Sequence, residues 1–277
     1  MIKLIIILNI LLATTRAEHH LSIVLLTAPK KIPMLTYTIE YFLHSYEYNN
    51  GGIIIDGFFM GKGCDCDHPE VDDAVKLLNS KGIPAYDVKL KNDIVDSNSD
   101  IRQKLYNFFS SIWYDHYSNF YYHIDHDLMI KDTIITYYFD QLIEEMERKT
   151  PNYEYMLFLE DDVAFNKDFF LKLSKEMDIS YDGELLMKLA FTPDYRIPEL
   201  HWKLPRLACV WGFWGMLYTP AQLQKWKKFG KFQTYSLTGD LYQCELYRML
   251  DESMRLVEIS YHFGRDKNIK PRDERFW

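Results

Sequence analysis

The sequence predicts an α/β fold, a mostly parallel sheet flanked by helices, on three observations. Residues 21–90 alternate apolar runs of strand type with segments of helical spacing, a second helix-to-strand unit follows at 132–159, and 277 residues at 48% hydrophobic suffice for one large core.

The elements follow in chain order. "LSIVLLTAPKK" places five apolar residues in the six from Leu21 to Leu26, a strand of the fully buried kind, and ends in a Thr/Pro loop with Lys30 and Lys31. "LTYTIEYFLHSYEY" repeats apolar residues at helical spacing until Asn49-Asn50-Gly51-Gly52 stops it, and "IIIDGFFM" is the next strand. "PEVDDAVKLLNSKG" opens with Pro69 and closes with Gly82, where a helix accepts those residues, and "IPAYDVKL" is a third strand. Strand, helix, strand, helix, strand implies parallel pairing through crossovers, the architecture of a nucleotide-binding half. Residues 92–131 have no clear period and read as loop with short helix. Residues 132–149, "DTIITYYFDQLIEEMERK", form a helix that Thr150-Pro151-Asn152 breaks before a strand from Tyr155 to Leu159. "NKDFFLKLSKEM" is a capped helix beyond it.

The amino terminus, "MIKLIIILNILLATTRAEHH", has an early cation at Lys3, an apolar run from Leu4 to Ala13 broken only by Asn9, and small residues ending at Ala17. That order is a signal peptide over residues 1–17, with a short signal anchor as the alternative, since the run falls short of the roughly 20 apolar residues of a spanning helix. Residues 18–277 are then one domain in the lumen of the secretory pathway or outside the cell. There, Cys64, Cys66, Cys209 and Cys244 can form disulfides, and Cys209 with Cys244 is the one pairing put forward. No Asn-x-Ser/Thr sequon occurs. A formal net charge of −8 argues against nucleic acid as the main partner, which needs a basic face.

The chemistry concentrates in "YMLFLEDDVAF", where Glu160, Asp161 and Asp162 follow a buried-type strand directly. An α/β sheet binds ligands at the carboxyl ends of its strands, and three adjacent carboxylates there repel unless a divalent cation compensates them. The plainer alternative is that they cap the helix beginning near Asn166.

"YMLFLEDDVAF" resembles the acidic signature of GT-A glycosyltransferases. With "IVLLTAPKKIPMLTYTIEYFLHSY" upstream, it is similar to the N-acetylglucosaminyltransferase IV group and to the related transferase that adds GalNAc to GPI anchors. The resemblance extends over most of residues 21–264. It implies a GT-A, Rossmann-like fold and transfer of a sugar, GlcNAc or GalNAc, from a UDP-sugar to a glycan or glycolipid in the Golgi or ER, with inversion and with Mn²⁺ or Mg²⁺ on the diphosphate. It further implies a metal held by Asp162 and His262, the latter in "LVEISYHFGRD". By the same resemblance Glu160 and Asp161 would lie nearer the nucleoside or support the metal ligands from behind, joined at the donor by Thr27, Lys30 and Lys31 of the first loop. The pair of lysines stands where the family pattern has an arginine. Gly212 and Gly215 in "CVWGFWGMLYTPAQLQKW" correspond to a glycine loop at the donor, and Asp240 in "SLTGDLYQCELYRML" to the general base. The plainer alternatives are core packing for Trp211, Phe213 and Trp214, a helix N-terminal charge for Asp240, and a structural histidine for His262.

Two other function classes remain open. "YYHIDHDLM" brings His123, Asp125, His126 and Asp127 together, with His116 upstream, a set that suits zinc in a secreted hydrolase and equally suits a wet polar loop. Twenty-one tyrosines and six tryptophans suit a non-catalytic carbohydrate-binding protein, and also an ordinary core.

Overall fold

The computed structural model describes residues 18–28, 32–49, 52–63, 67–91, 126–178, 186–191, 215–224, 227 and 254–262. The signal-type segment, the four cysteines, and Lys30, Lys31, Gly212 and Asp240 lie outside them. So do His116, His123 and Asp125.

The described strands are β1 (His19–Thr27), β2 (Ile53–Lys62), β3 (Ala85–Val88), β4 (Tyr155–Glu160), β5 (Val163–Phe165), β6 (Leu186–Phe191), β7 (Met216–Tyr218) and β8 (Met254–His262). The helices are α1 (Met34–Tyr46), α2 (Pro69–Ser80), α3 (His126–Lys149) and α4 (Phe169–Asp178). All eight strands join one sheet in the order β3-β2-β1-β4-β7-β6-β8-β5. β2 pairs parallel with both β1 and β3, and β4 parallel with β1. β7 runs antiparallel to β4 and β6, β8 parallel to β6, and β5 antiparallel to β8 at the edge. The expected α/β fold with a largely parallel sheet is therefore the one observed.

The buried-strand reading of "LSIVLL" holds for a physical reason. β1 lies between β2 and β4, and a parallel strand inside a sheet is covered on both faces, so Leu21, Ile23, Val24 and Leu25 lose all contact with solvent. Ser22 is equally buried and is satisfied locally. The Thr150 hydroxyl donates to the Met146 carbonyl at 2.9 Å, which leaves its oxygen to accept from Ser22 Oγ at 2.8 Å. That chain fastens the carboxyl end of α3 to the middle of the sheet.

α1 buries Met34, Leu35, Thr38, Ile39, Tyr41, Phe42 and Ser45, a stripe at helical spacing laid on the sheet. Phe42 is its centre. Its ring meets Phe58 of β2, Phe165 of β5 and Phe170 of α4 edge-on, at centroid separations of 5.3, 5.8 and 5.4 Å. Edge-to-face pairs of this kind contribute about 0.5–1.5 kcal/mol each beyond area burial.

Two expectations need correction. The helix expected from Asp132 begins at His126, so two members of the histidine cluster, His126 and Asp127, start a 24-residue helix instead of lying in a loop. The helix expected from Asn166 begins at Phe169, because Val163–Phe165 pairs with β8 as a separate strand first. β6 was not anticipated at all. No described helix is long and apolar enough to cross a membrane.

Candidate active site at the sheet's switch point

The strand order reverses direction at β1, with β2 on one side and β4 on the other. Ligands of open α/β sheets bind in the crevice beyond the carboxyl ends of strands at such a point. β1 ends at Thr27 and β4 at Glu160, and the register pairs Leu26 with Glu160. Asp161 and Asp162 make the turn immediately beyond, before the chain departs as β5.

This turn is fixed from two sides. Thr38, on the buried stripe of α1, donates its hydroxyl to the Asp161 carbonyl at 2.9 Å and accepts the Val163 N–H at 3.1 Å. One side chain thus bridges the backbone on both sides of Asp162. From the other direction, Thr27 Oγ1 donates to Asp161 Oδ2 at 2.6 Å, a short contact of the kind made to an ionised oxygen. His68 Nε2 lies 3.1 Å from the same hydroxyl. Thr27, His68, Asp161 and Asp162 are 3%, 2%, 3% and 6% exposed, so the two aspartates are buried side by side. Glu160 is half-buried.

The helix-capping alternative does not fit. β5 and residues 166–168 separate the three carboxylates from α4, whose first turn carries no acidic residue. Carboxylates are hard oxygen donors, the ligand type that Mg²⁺ and Mn²⁺ prefer.

His262 enters through sheet register. β5 and β8 pair antiparallel with Val163 opposite His262, so the last residue of β8 stands beside the residue that follows Asp162. A separation of 99 residues in sequence, between Val163 and His262, becomes one rung of a ladder.

Gly215 precedes β7, whose Met216 pairs with Phe158 near the carboxyl end of β4. Its φ of 67° lies in the left-handed region, where glycine is favoured, which explains the residue at this turn. Beyond β7, Thr219-Pro220-Ala221-Gln222 closes a capping box. Thr219 N–H donates to Gln222 Oε1 at 2.9 Å and Gln222 N–H to Thr219 Oγ1 at 3.4 Å, which starts the helical turn at 220–224.

Thr27, Asp161, Asp162, Gly215 and the backbone of His262 therefore converge on one end of the sheet, together with Glu160. Sequence reading did not single out Thr38 or His68. Thr38 could have been noticed as a polar residue on an apolar helix stripe, whereas His68, ahead of Pro69, carries no comparable signal. Among the described residues no group of three or more His, Cys, Asp or Glu is arranged as a metal site. At the amino-terminal end of β1, away from this site, the hydrogen bond to Asp56 raises His20 above its ordinary value.

No family model and no curated protein matches the chain. Solved structures with a similar course include mouse xyloside xylosyltransferase 1, with 11% identity over 92% of this chain and 100% of that one and a TM-score of 0.46. The inositol-1-phosphate CTP transferase from T. maritima is 11% identical over 92% of this chain and 93% of its own, with a TM-score of 0.44. Glucosyl-3-phosphoglycerate synthase from Mycobacterium tuberculosis, solved with Mg²⁺ and UDP, is 14% identical over 89% and 72%, with a TM-score of 0.39. All three TM-scores lie below 0.5.

Proposed function

We propose that this protein is a metal-dependent, inverting glycosyltransferase that moves GlcNAc or GalNAc from a UDP-sugar to a glycan or glycolipid acceptor in the secretory pathway. The observation that carries the reading is the pair of buried aspartates, Asp161 and Asp162, at the switch point, with His262 one rung away. The sequence resemblance to GT-A transferases, carried by the same acidic segment, is in keeping with it.

In this reading Asp162 and His262 hold Mn²⁺ or Mg²⁺; the carboxylate suits either ion, and the imidazole favours Mn²⁺. The chemistry supplied by the bound ion is neutralisation of charge on the leaving nucleoside diphosphate. Asp161, held by Thr27 and Thr38, keeps the turn in one conformation so that no reorganisation accompanies reaction. Lys30 and Lys31 offer charge to the diphosphate from the first loop, and Gly212 and Gly215 let backbone approach the donor sugar. Asp240 removes the proton from the acceptor hydroxyl as it attacks the anomeric carbon from the face opposite the nucleotide. A base in that role contributes about 10²–10⁴-fold. Single displacement inverts the anomeric centre.

The test is a donor-hydrolysis screen of UDP- and GDP-sugars with and without Mn²⁺. Metal-dependent release of UDP from an N-acetylhexosamine donor is expected. Release from no donor, or turnover indifferent to metal, contradicts the reading.

A further inference from the structure

We infer that His68 is a positioning residue of this donor site, acting through Thr27 to set the direction of the Asp161 carboxylate. The inference rests on the transferase reading above and adds to it a residue from a different part of the chain.

The direction of each hydrogen bond follows from proton counting. Thr27 has one hydroxyl proton, and it goes to Asp161 Oδ2, since an ionised carboxylate only accepts. The Thr27 oxygen is then an acceptor toward His68, so Nε2 carries the proton that fills the 3.1 Å contact. The chain runs one way, from His68 through Thr27 to Asp161. All three residues are buried, and polarisation along such a chain strengthens each bond in turn.

The three residues come from three strand ends. Thr27 closes β1, His68 lies between β2 and α2, and Asp161 follows β4. The His68 side chain makes no capping bond to α2, although it occupies the capping position, so its ring is committed to Thr27 instead. A backbone bond, from Gly63 N–H to the Thr27 carbonyl at 2.6 Å, also ties the ends of β1 and β2. Without the His68 donor, the Thr27 hydroxyl loses the contact that orients it. Asp161, and the turn that carries Asp162, then samples more directions. Partners that orient metal-site residues in this indirect way typically alter metal affinity or activity by about 10–100-fold when replaced.

The experiment is calorimetric titration of UDP in the presence of Mn²⁺ into wild type, His68→Leu and His68→Gln, each well below its melting temperature. Gln places an amide N–H where the imidazole had Nε2–H. His68→Leu is expected to bind UDP about 10-fold or more weakly, with His68→Gln recovering most of the loss. A purely structural histidine would lower the melting temperature in both and leave UDP affinity unchanged, and that result overturns the inference. In case His68→Leu does not fold, the wild-type Nε2–H resonance of His68 supplies the second readout. It should shift on addition of UDP with Mg²⁺, and an unmoved resonance also overturns the inference. Wild type that binds no UDP with either metal contradicts the transferase reading itself, and the positioning role falls with it.

Discussion

Thr27 Oγ1 donates to Asp161 Oδ2 across 2.6 Å, joining the last residue of β1 to the first residue beyond β4 out of contact with solvent. Removing the hydroxyl should therefore be costly. A hydrogen bond to a charged group contributes about 1.5–3 kcal/mol, so Thr27→Val should lose about that much stability in urea titrations while Thr27→Ser loses less. A Val variant as stable as wild type would show that the bond contributes nothing.

Phe42 provides a test of the packing that holds α1, and with it Thr38, over the site. Phe42→Ala removes a fully buried ring with three edge-on aromatic neighbours, and should cost about 3–5 kcal/mol by chemical denaturation. A loss under 1 kcal/mol, on the order of a tolerated core swap, would mean the ring is not central to the core.

The amino-terminal end of the sheet predicts a pH dependence. His20 Nδ1 lies 2.8 Å from Asp56 Oδ1, and that hydrogen bond raises the imidazole above its ordinary 6.5 against a smaller opposing effect of burial. A raised folded-state value stabilises the protein fully below the unfolded value and is lost as pH climbs through the folded one. His20 is substantially exposed, so the contribution should be in the range of a surface pair, about 0.2–1 kcal/mol. Denaturation midpoints of wild type and His20→Gln should thus differ near about pH 6 and converge toward about pH 8. A gap that widens with pH would reverse the sign and refute the assignment.

The sequence made the parallel half legible because its signals are local. Apolar runs over Leu21–Leu26 and Ile53–Met60, helical spacing after Met34, Pro69 and Gly82 all act within a few residues. The acidic site was legible for a related reason: Glu160-Asp161-Asp162 behind a buried-type strand is an electrostatic anomaly. What was not legible depends on partners distant in the chain. Val163–Phe165 becomes a strand only because β8 lies beside it, and three residues supply too little period to announce that. Thr38 and His68 look unremarkable until the fold brings Asp161 and Thr27 to them across 123 and 41 residues. The early start of α3 at His126 has a cap-type residue, Asp125, just before it in the sequence, but the segment around it lacks the apolar period that would mark a helix.

The most direct measurement is titration of UDP with Mn²⁺ into wild type and Asp162→Ala, both first shown to be folded by circular dichroism. Wild type should bind UDP only when Mn²⁺ is present, and Asp162→Ala should lose that metal-dependent binding, and all sugar transfer, at an unchanged fold. An Asp162→Ala protein that still binds UDP and turns over with added Mn²⁺ would contradict the account.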